Sequence, residues 1–167
     1  LSAASTIDSS NNGGSANGAG INIGSITGGS NNLTLISRAS ATTVSGNATG
    51  LATLTLQDDN AASTGSMIFN GNLSATTLTT VARGYATQFN GTTTAITNDV
   101  TFLNTGAITL GNGNDTLTFT GGLDTTAGSA TNIGGTVRTA GQQIDLGAVT
   151  LSAASTIDSS NNGGSAN

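Results

Sequence analysis

The sequence predicts an all-β fold, a parallel β-solenoid, and three observations point there. The first seventeen residues, LSAASTIDSSNNGGSAN from Leu1 to Asn17, return letter for letter as Leu151–Asn167. Short apolar-x-apolar triplets run along the whole chain, separated by clusters of Gly and Asn. The triplets also keep a common spacing, since Leu33 to Leu54, Leu78 to Val100 and Leu117 to Val137 are each about 21 residues apart, the length of one solenoid coil holding several short strands.

A duplication of this length without a substitution marks a tandem array with a period of 150 residues. Residues 1–150 are therefore read as one full repeat and residues 151–167 as the start of the next identical repeat, with more of the array expected on either side. When the period is added, Val149 stands one such coil before the next copy of Ile21. About 7 coils of about 21 residues fill one period, and at ~4.8 Å between paired strands a period advances ~34 Å along the axis.

Each element follows from local chemistry. Thr, Ser, Asn and Gly dominate, and they restrict χ1, compete for backbone hydrogen bonds or loosen the backbone, so helix is disfavoured almost everywhere. Period-2 triplets mark strands at Ile21–Ile23, Leu33–Leu35, Leu54–Leu56, Met67–Phe69, Val100–Phe102, Ile108–Leu110, Leu117–Phe119, Ile144–Leu146 and Val149–Leu151. Between them, Gly28–Asn32, Asn70–Asn72, Gly111–Asn114, Gly134–Gly135 and Asn161–Gly164 suit tight corners. The strands are expected to be three to five residues long. The chain has no Pro, which fits strands paired on both sides. With no Trp, one Tyr and four Phe, it lacks the bulk that a sandwich core about 10 Å thick requires. A narrower solenoid interior suits its Leu, Ile, Val and Ala, with Thr, Ser and Asn forming like-on-like ladders.

Composition excludes several function classes. Only 7% of residues are charged, and there is no Lys, Glu or His. Three arginines (Arg38, Arg83, Arg138) face eight aspartates (Asp8, Asp58, Asp59, Asp99, Asp115, Asp124, Asp145, Asp158), for a net charge of −5. No nucleic-acid partner is expected, because phosphate binding draws on clustered Lys and Arg. Disorder is disfavoured by 35% hydrophobic residues and a mean hydropathy of +0.04. Without Cys there is neither a disulfide nor a thiolate metal site, and without Lys no Lys–Asn isopeptide cross-link. No run reaches the ~18 apolar residues of a membrane span, so any secretion signal or anchor is expected outside this stretch. Without His, Cys, Lys or Glu the usual nucleophile–base pairs are missing, so no enzyme, no catalytic residues, no cofactor and no metal ligands are expected.

The stretches TAGQQIDLGAVTL (Thr139–Leu151), TIDSS (Thr156–Ser160) and NDVTFLNTGAITLG (Asn98–Gly111) resemble the repeat regions of very large bacterial surface adhesins, the filamentous-haemagglutinin-like and autotransporter-like proteins. The resemblance covers most of the chain in style and lies in composition and cadence. It implies a right-handed parallel β-helix and a secreted or surface-tethered fibre that presents an adhesive tip or builds extracellular or biofilm matrix.

Several local features raise sharper readings beside plain ones. LGNGNDTLT (Leu110–Thr118) resembles the calcium-binding nonapeptide of RTX proteins: Gly111, Gly113, Asp115 and Leu117 match, and Leu110 stands where Gly is usual. Each ion of that family sits between successive copies, and only one copy occurs here, so a plain Gly/Asn corner is the preferred reading. Asp58–Asp59 is the one adjacent carboxylate pair, with Asn60, Ala61 and Ala62 beside it, and reads as a solvated turn. The arginines read either as docks for a neighbouring fibre's carboxylates or as isolated surface groups. Tyr85 reads as an exposed adhesive aromatic or as a corner cap. The Thr runs at 76–77, 79–80 and 92–94 raise an ice-binding face, which would need the same Thr pair on successive coils; in the sequence their phase is irregular. Asn47-Ala48-Thr49 and Asn72-Leu73-Ser74 are the sequons expected by chance in such a composition.

The expected function is a structural and adhesive repeat of an extracellular or bacterial cell-surface fibre. Its expected partners are adjacent identical repeats along the axis, lateral copies of the same fibre and a surface receptor, with no membrane span in this stretch. The competing readings are a calcium-rigidified RTX-like module, an S-layer subunit and a carbohydrate- or ice-binding face.

Overall fold

The computed structural model describes residues 1–11, 17–57 and 63–160. Among these the chain forms sixteen strands and no helix: β1 (Ser5–Asp8), β2 (Ile21–Ile23), β3 (Ile26–Thr27), β4 (Leu33–Ile36), β5 (Thr42–Val44), β6 (Ala48–Leu56), β7 (Ser66–Phe69) and β8 (Leu73–Thr80) in the first half. Then come β9 (Ala86–Phe89), β10 (Thr93–Ile96), β11 (Val100–Thr101), β12 (Ile108–Phe119), β13 (Leu123–Asp124), β14 (Thr131–Arg138), β15 (Ile144–Asp145) and β16 (Val149–Asp158). Every strand-to-strand pairing is parallel, and the strands stack as a β-solenoid of about 6 turns.

The registers resolve into three columns. On the first face Ile21, Thr42, Met67, Thr87, Ile108, Thr131 and Val149 lie one above the next. The coils are unequal in length, longest between Thr42 and Met67 and shortest between Thr131 and Val149. On the second face the succession is Ile26, Ala48, Leu73, Thr94, Leu117, Val137 and Ile157. The third face carries β1, β4 and the second halves of β6 and β8, with Leu33, Leu54 and Leu78 in line, followed by β11, β13 and β15. β11 lies against β8, and just beyond β11 the Leu103 amide donates to Thr80 Oγ1 at 2.8 Å. Each face thus holds seven strands among the described residues. These residues complete about six three-faced turns, where the spacing predicts about 7 per period.

All nine triplets coincide with strands, Phe102 and Leu146 lying one residue past β11 and β15, but the elements are often longer than the three to five residues expected. β6, β8, β12, β14 and β16 run for 8 to 12 residues because the chain turns a corner without leaving its neighbour's hydrogen bonds. The Gly111–Asn114 corner lies inside β12, where the pairing shifts register between Leu110 and Asp115.

The interior is apolar and continuous from Ile26 to Val137. All four phenylalanines line it and touch in sequence: Phe69 on Phe89, Phe89 edge-on to Phe102, and Phe102 edge-on to Phe119, with centroids 5.7, 5.9 and 6.5 Å apart. One corner is held by glycines. A Cβ on Gly46, Gly71 or Gly91 would come closer than 3.0 Å to the backbone of Gly24, Gly46 or Gly71 respectively, one coil below. Only glycine lets the corners close to the strand spacing.

The duplicated tetrapeptide STID occupies two different slots. In β1 it pairs with β4 on the third face, Ile7 beside Leu35. In β16 it pairs with β14 on the second face, Ile157 beside Val137. Both copies turn the chain identically at their ends, since Asp8 Oδ1 accepts from the Ser10 amide at 2.6 Å and Asp158 Oδ1 from the Ser160 amide at 2.7 Å.

Candidate functional site

The two ends of the stack differ from its shaft. Among the described residues β16 has a strand neighbour on one side only, β14, and its inward apolar residues Val149, Leu151 and Ile157 are 41, 60 and 48% exposed. Their counterparts one coil below, Ile133 and Val137, are 0% exposed. At the opposite end β1, β2 and β3 each pair on one side only, with β4, β5 and β6. There Leu1 and Ile7 are exposed and Ile23 is half-buried. Exposed apolar strand edges are templates for further pairing.

The shaft presents hydroxyl and amide ladders. The irregular phase of Thr in the sequence is an effect of unequal coil lengths: the registers align Thr6, Thr34, Thr55 and Thr79 on the third face, and Thr93, Thr116, Thr136 and Thr156 on the second. A paired rank, Thr53 with Thr55 and Thr77 with Thr79, recurs on two coils. Asparagines tie corners across coils. Asn47 Oδ1 accepts from the Asn72 amide at 3.0 Å, Asn72 Oδ1 from the Thr93 amide at 3.1 Å, and Asn90 Nδ2 donates to Asn70 Oδ1 at 3.1 Å. The sequon residues Asn47 and Asn72 are thus engaged in inter-coil bonds.

A polar groove of about 320 Å³ runs along the third face, between Asp99, Asp124, Asp145, Gln142 and Gln143. Asp124 and Asp145 are register neighbours. Each carboxylate is engaged locally, Asp124 Oδ1 by the Thr126 hydroxyl at 2.6 Å and Asp145 Oδ1 by Gln143 Nε2 at 3.0 Å. Among the described residues no group of three or more acidic, His or Cys side chains converges on a metal-sized site.

The other residues singled out from the sequence are dispersed. Asp115 is buried and its Oδ2 accepts from the Asn112 amide at 2.8 Å, which closes the corner inside β12. Asp58 and Asp59 lie outside the described residues. Arg38 is buried beside the Gln57 amide network, Arg83 Nη1 donates to the Ala82 carbonyl, and Arg138 Nε donates to Thr118 Oγ1 one coil below. Tyr85 corrects one expectation: it is 0% exposed, so it presents no aromatic surface. Its hydroxyl accepts from the Val81 amide and donates to the Leu56 carbonyl, which makes it a corner cap, and burial pushes its pKa up to about 12. Sequence reasoning missed Gln57, which is fully buried with Oε1 accepting from the Ser37 and Arg38 amides.

The class the chain defines is the parallel β-solenoid. No family model matches it, and searches of curated proteins and of solved structures find no match. No helix among the described residues is long and apolar enough to cross a membrane.

Proposed function

We propose that the chain is a non-catalytic structural repeat, one rod segment of an extracellular surface fibre with adhesive or matrix-building use. The observation that carries this reading is the letter-for-letter return of residues 1–17 at 151–167 in a chain that stacks as parallel coils, its three faces each holding seven strands among the described residues. A rod of this build resists axial pulling through many parallel backbone bonds, and its Ser, Thr and Asn surface stays hydrated. The lack of Lys and the three Arg leave few sites for trypsin-like cleavage. Partners in this reading are identical repeats along the axis. The test is electron microscopy of the native material: rods with an axial repeat of ~34 Å, seven coils at the strand spacing, support it, and globular beads at a repeat several times longer overturn it.

A second reading rests on the aligned threonines. A column of hydroxyls at the ~4.8 Å strand spacing suits a flat periodic surface, ice or crystalline polysaccharide. Inhibition of ice recrystallisation, lost on Thr55→Val with Thr79→Val, would support it; equal activity in the double variant would sink it. The calcium-binding reading is tested by thermal unfolding with and without calcium, where an unchanged midpoint removes it.

A further inference from the structure

We infer that Asn112–Gly113 is a self-modification site, at which the folded shaft selectively converts an asparagine to aspartate or isoaspartate through a cyclic imide. The chemistry needs no co-reactant beyond water, and it does not depend on the rod reading. The Gly113 backbone nitrogen gives up its proton and bonds to Asn112 Cγ; the Cγ–Nδ2 bond breaks, and ammonia leaves with that proton. Water then opens the ring. Cleavage between the nitrogen and Cγ leaves an aspartate, and cleavage between the nitrogen and the main-chain carbonyl carbon leaves an isoaspartate, whose chain runs on through Cγ. Nothing is oxidised or reduced. The ring closes only if Asn ψ and χ1 rotate until the glycine nitrogen faces Cγ, so the rate is set by how firmly the fold holds the pair.

Four Asn-Gly pairs fall among the described residues, and the fold locks three of them. Asn90 Nδ2 donates to Asn70 Oδ1 at 3.1 Å, and the Asn70 and Asn90 amides donate to the Val44 and Phe69 carbonyls. Their glycines press on the coil below: a Cβ on Gly71 or Gly91 would lie 2.3 or 2.1 Å from the carbonyl oxygen of Gly46 or Gly71. At Asn17–Gly18 the Asn17 carbonyl accepts from the Ala39 amide at 3.1 Å, and a Cβ on Gly18 would lie 2.4 Å from the Ser37 carbonyl oxygen. Asn112–Gly113 differs on each count. Asn112 is exposed with its side chain unbonded, and Gly113 has nothing within 4 Å of where a Cβ would be. Residues 111–114 are also where β12 loses its register partners: pairing with β9 ends at Leu110, pairing with β10 begins at Thr116, and pairing with β14 breaks between Leu110 and Asp115. Exposed stretches with few partners are the ones that open most readily. The coil above leaves room, because it presents Gly134 and Gly135; Cβ atoms there would stand 3.2 Å from the Asn112 carbonyl carbon and 2.9 Å from the Gly113 carbonyl oxygen. The Asn112 amide donates to Asp115 Oδ2 at 2.8 Å, which restrains φ and leaves the two torsions that the reaction turns. Either product sets a carboxylate beside the buried Asp115, and isoaspartate also lengthens the corner by one main-chain carbon.

The test uses the full 167-residue chain, held folded at mildly alkaline pH and then denatured, cut with trypsin and followed by mass spectrometry over time. With no Lys and cleavage after Arg83 and Arg138, the fragment 84–138 carries both Asn90 and Asn112, so the locked pair is an internal control for the open one. In the folded chain Asn112 should convert at least about tenfold faster than Asn90. In urea the two rates should converge, because each is then an unrestrained Asn-Gly pair. Electron-transfer fragmentation should find isoaspartate as well as aspartate at position 112, the mark of the imide. Gly113→Ala, whose Cβ narrows the torsions open to the attacking nitrogen, should keep the unfolding midpoint and slow conversion of Asn112 by at least about tenfold. Equal rates at Asn90 and Asn112 in the folded chain, aspartate alone at position 112, or undiminished conversion in Gly113→Ala would each overturn the proposal.

Discussion

Phe69 and Phe89 lie face to face one coil apart, their ring centroids 5.7 Å from each other and their planes 6° from parallel. Phe89 also meets Phe102 edge-on at 5.9 Å, so it is the ring that couples the lower and upper halves of the aromatic stack. Phe89→Ala would open a cavity between neighbours fixed by main-chain ladders, which have little freedom to collapse into it. The expected cost is about 3–5 kcal/mol, read as a lower denaturant midpoint at unchanged slope. A cost below about 1 kcal/mol would show that the stack is slack.

Gly71 tests whether corner spacing limits the fold. Its Cβ would enter the backbone of Gly46, which cannot retreat without breaking its own coil's bonds. Gly71→Ala should destabilise by about 1–3 kcal/mol, the usual range for overpacking. Gly113→Ala, at a position with open space, should stay within about 0.5 kcal/mol of the unaltered chain. Equal thermal midpoints for the two variants would contradict the ladder.

Gln57 is a side chain that stands in for backbone. Its Oε1 accepts from the Ser37 amide at 3.0 Å and the Arg38 amide at 2.9 Å, and its Nε2 donates to the Arg38 carbonyl. The residue adopts φ 57°, a left-handed conformation that costs a non-glycine residue energy, and the corner holds it there. Gln57→Ala keeps that strain and strands two buried amides, so a loss of about 2–4 kcal/mol is expected by equilibrium unfolding. A loss under about 1 kcal/mol would mean that water reaches the corner and replaces the carboxamide.

The fold was legible where inward residues are large and apolar. Leu33, Leu54 and Leu117 announce their strands and even their register, because stacked coils repeat the same inward position. It was illegible where Thr fills that position: Thr42, Thr87 and Thr131 are fully buried, so β5, β9 and the start of β14 carry no period-2 hydrophobic signal. Unequal coils hid the threonine ladders in the same way, since the long step between Thr42 and Met67 breaks any fixed phase. The candidate end surface was half legible. The two slots of Ser5–Asp8 and Ser155–Asp158 were not legible, because they depend on which strand lies alongside and the letters are the same in both.

Tyr85 gives a pH prediction with its sign fixed by burial. The phenol is enclosed and hydrogen-bonded to the Leu56 carbonyl, so ionisation would place a charge in an apolar corner, and the folded pKa rises from 10.0 to about 12. A folded pKa above the unfolded one stabilises the protein fully below about pH 10, and that contribution is lost as pH rises through about 12. The contribution amounts to about 2–3 kcal/mol, so alkaline unfolding should set in across this window. As the one Tyr in a chain without Trp, its absorbance change on ionisation is unobscured. Titration should give a midpoint near pH 12 or a cooperative rise with unfolding below it, and Tyr85→Phe should delay alkaline unfolding while losing the two hydroxyl bonds at neutral pH. A reversible midpoint near 10 in the folded protein would place the ring in solvent and undo the corner-cap assignment.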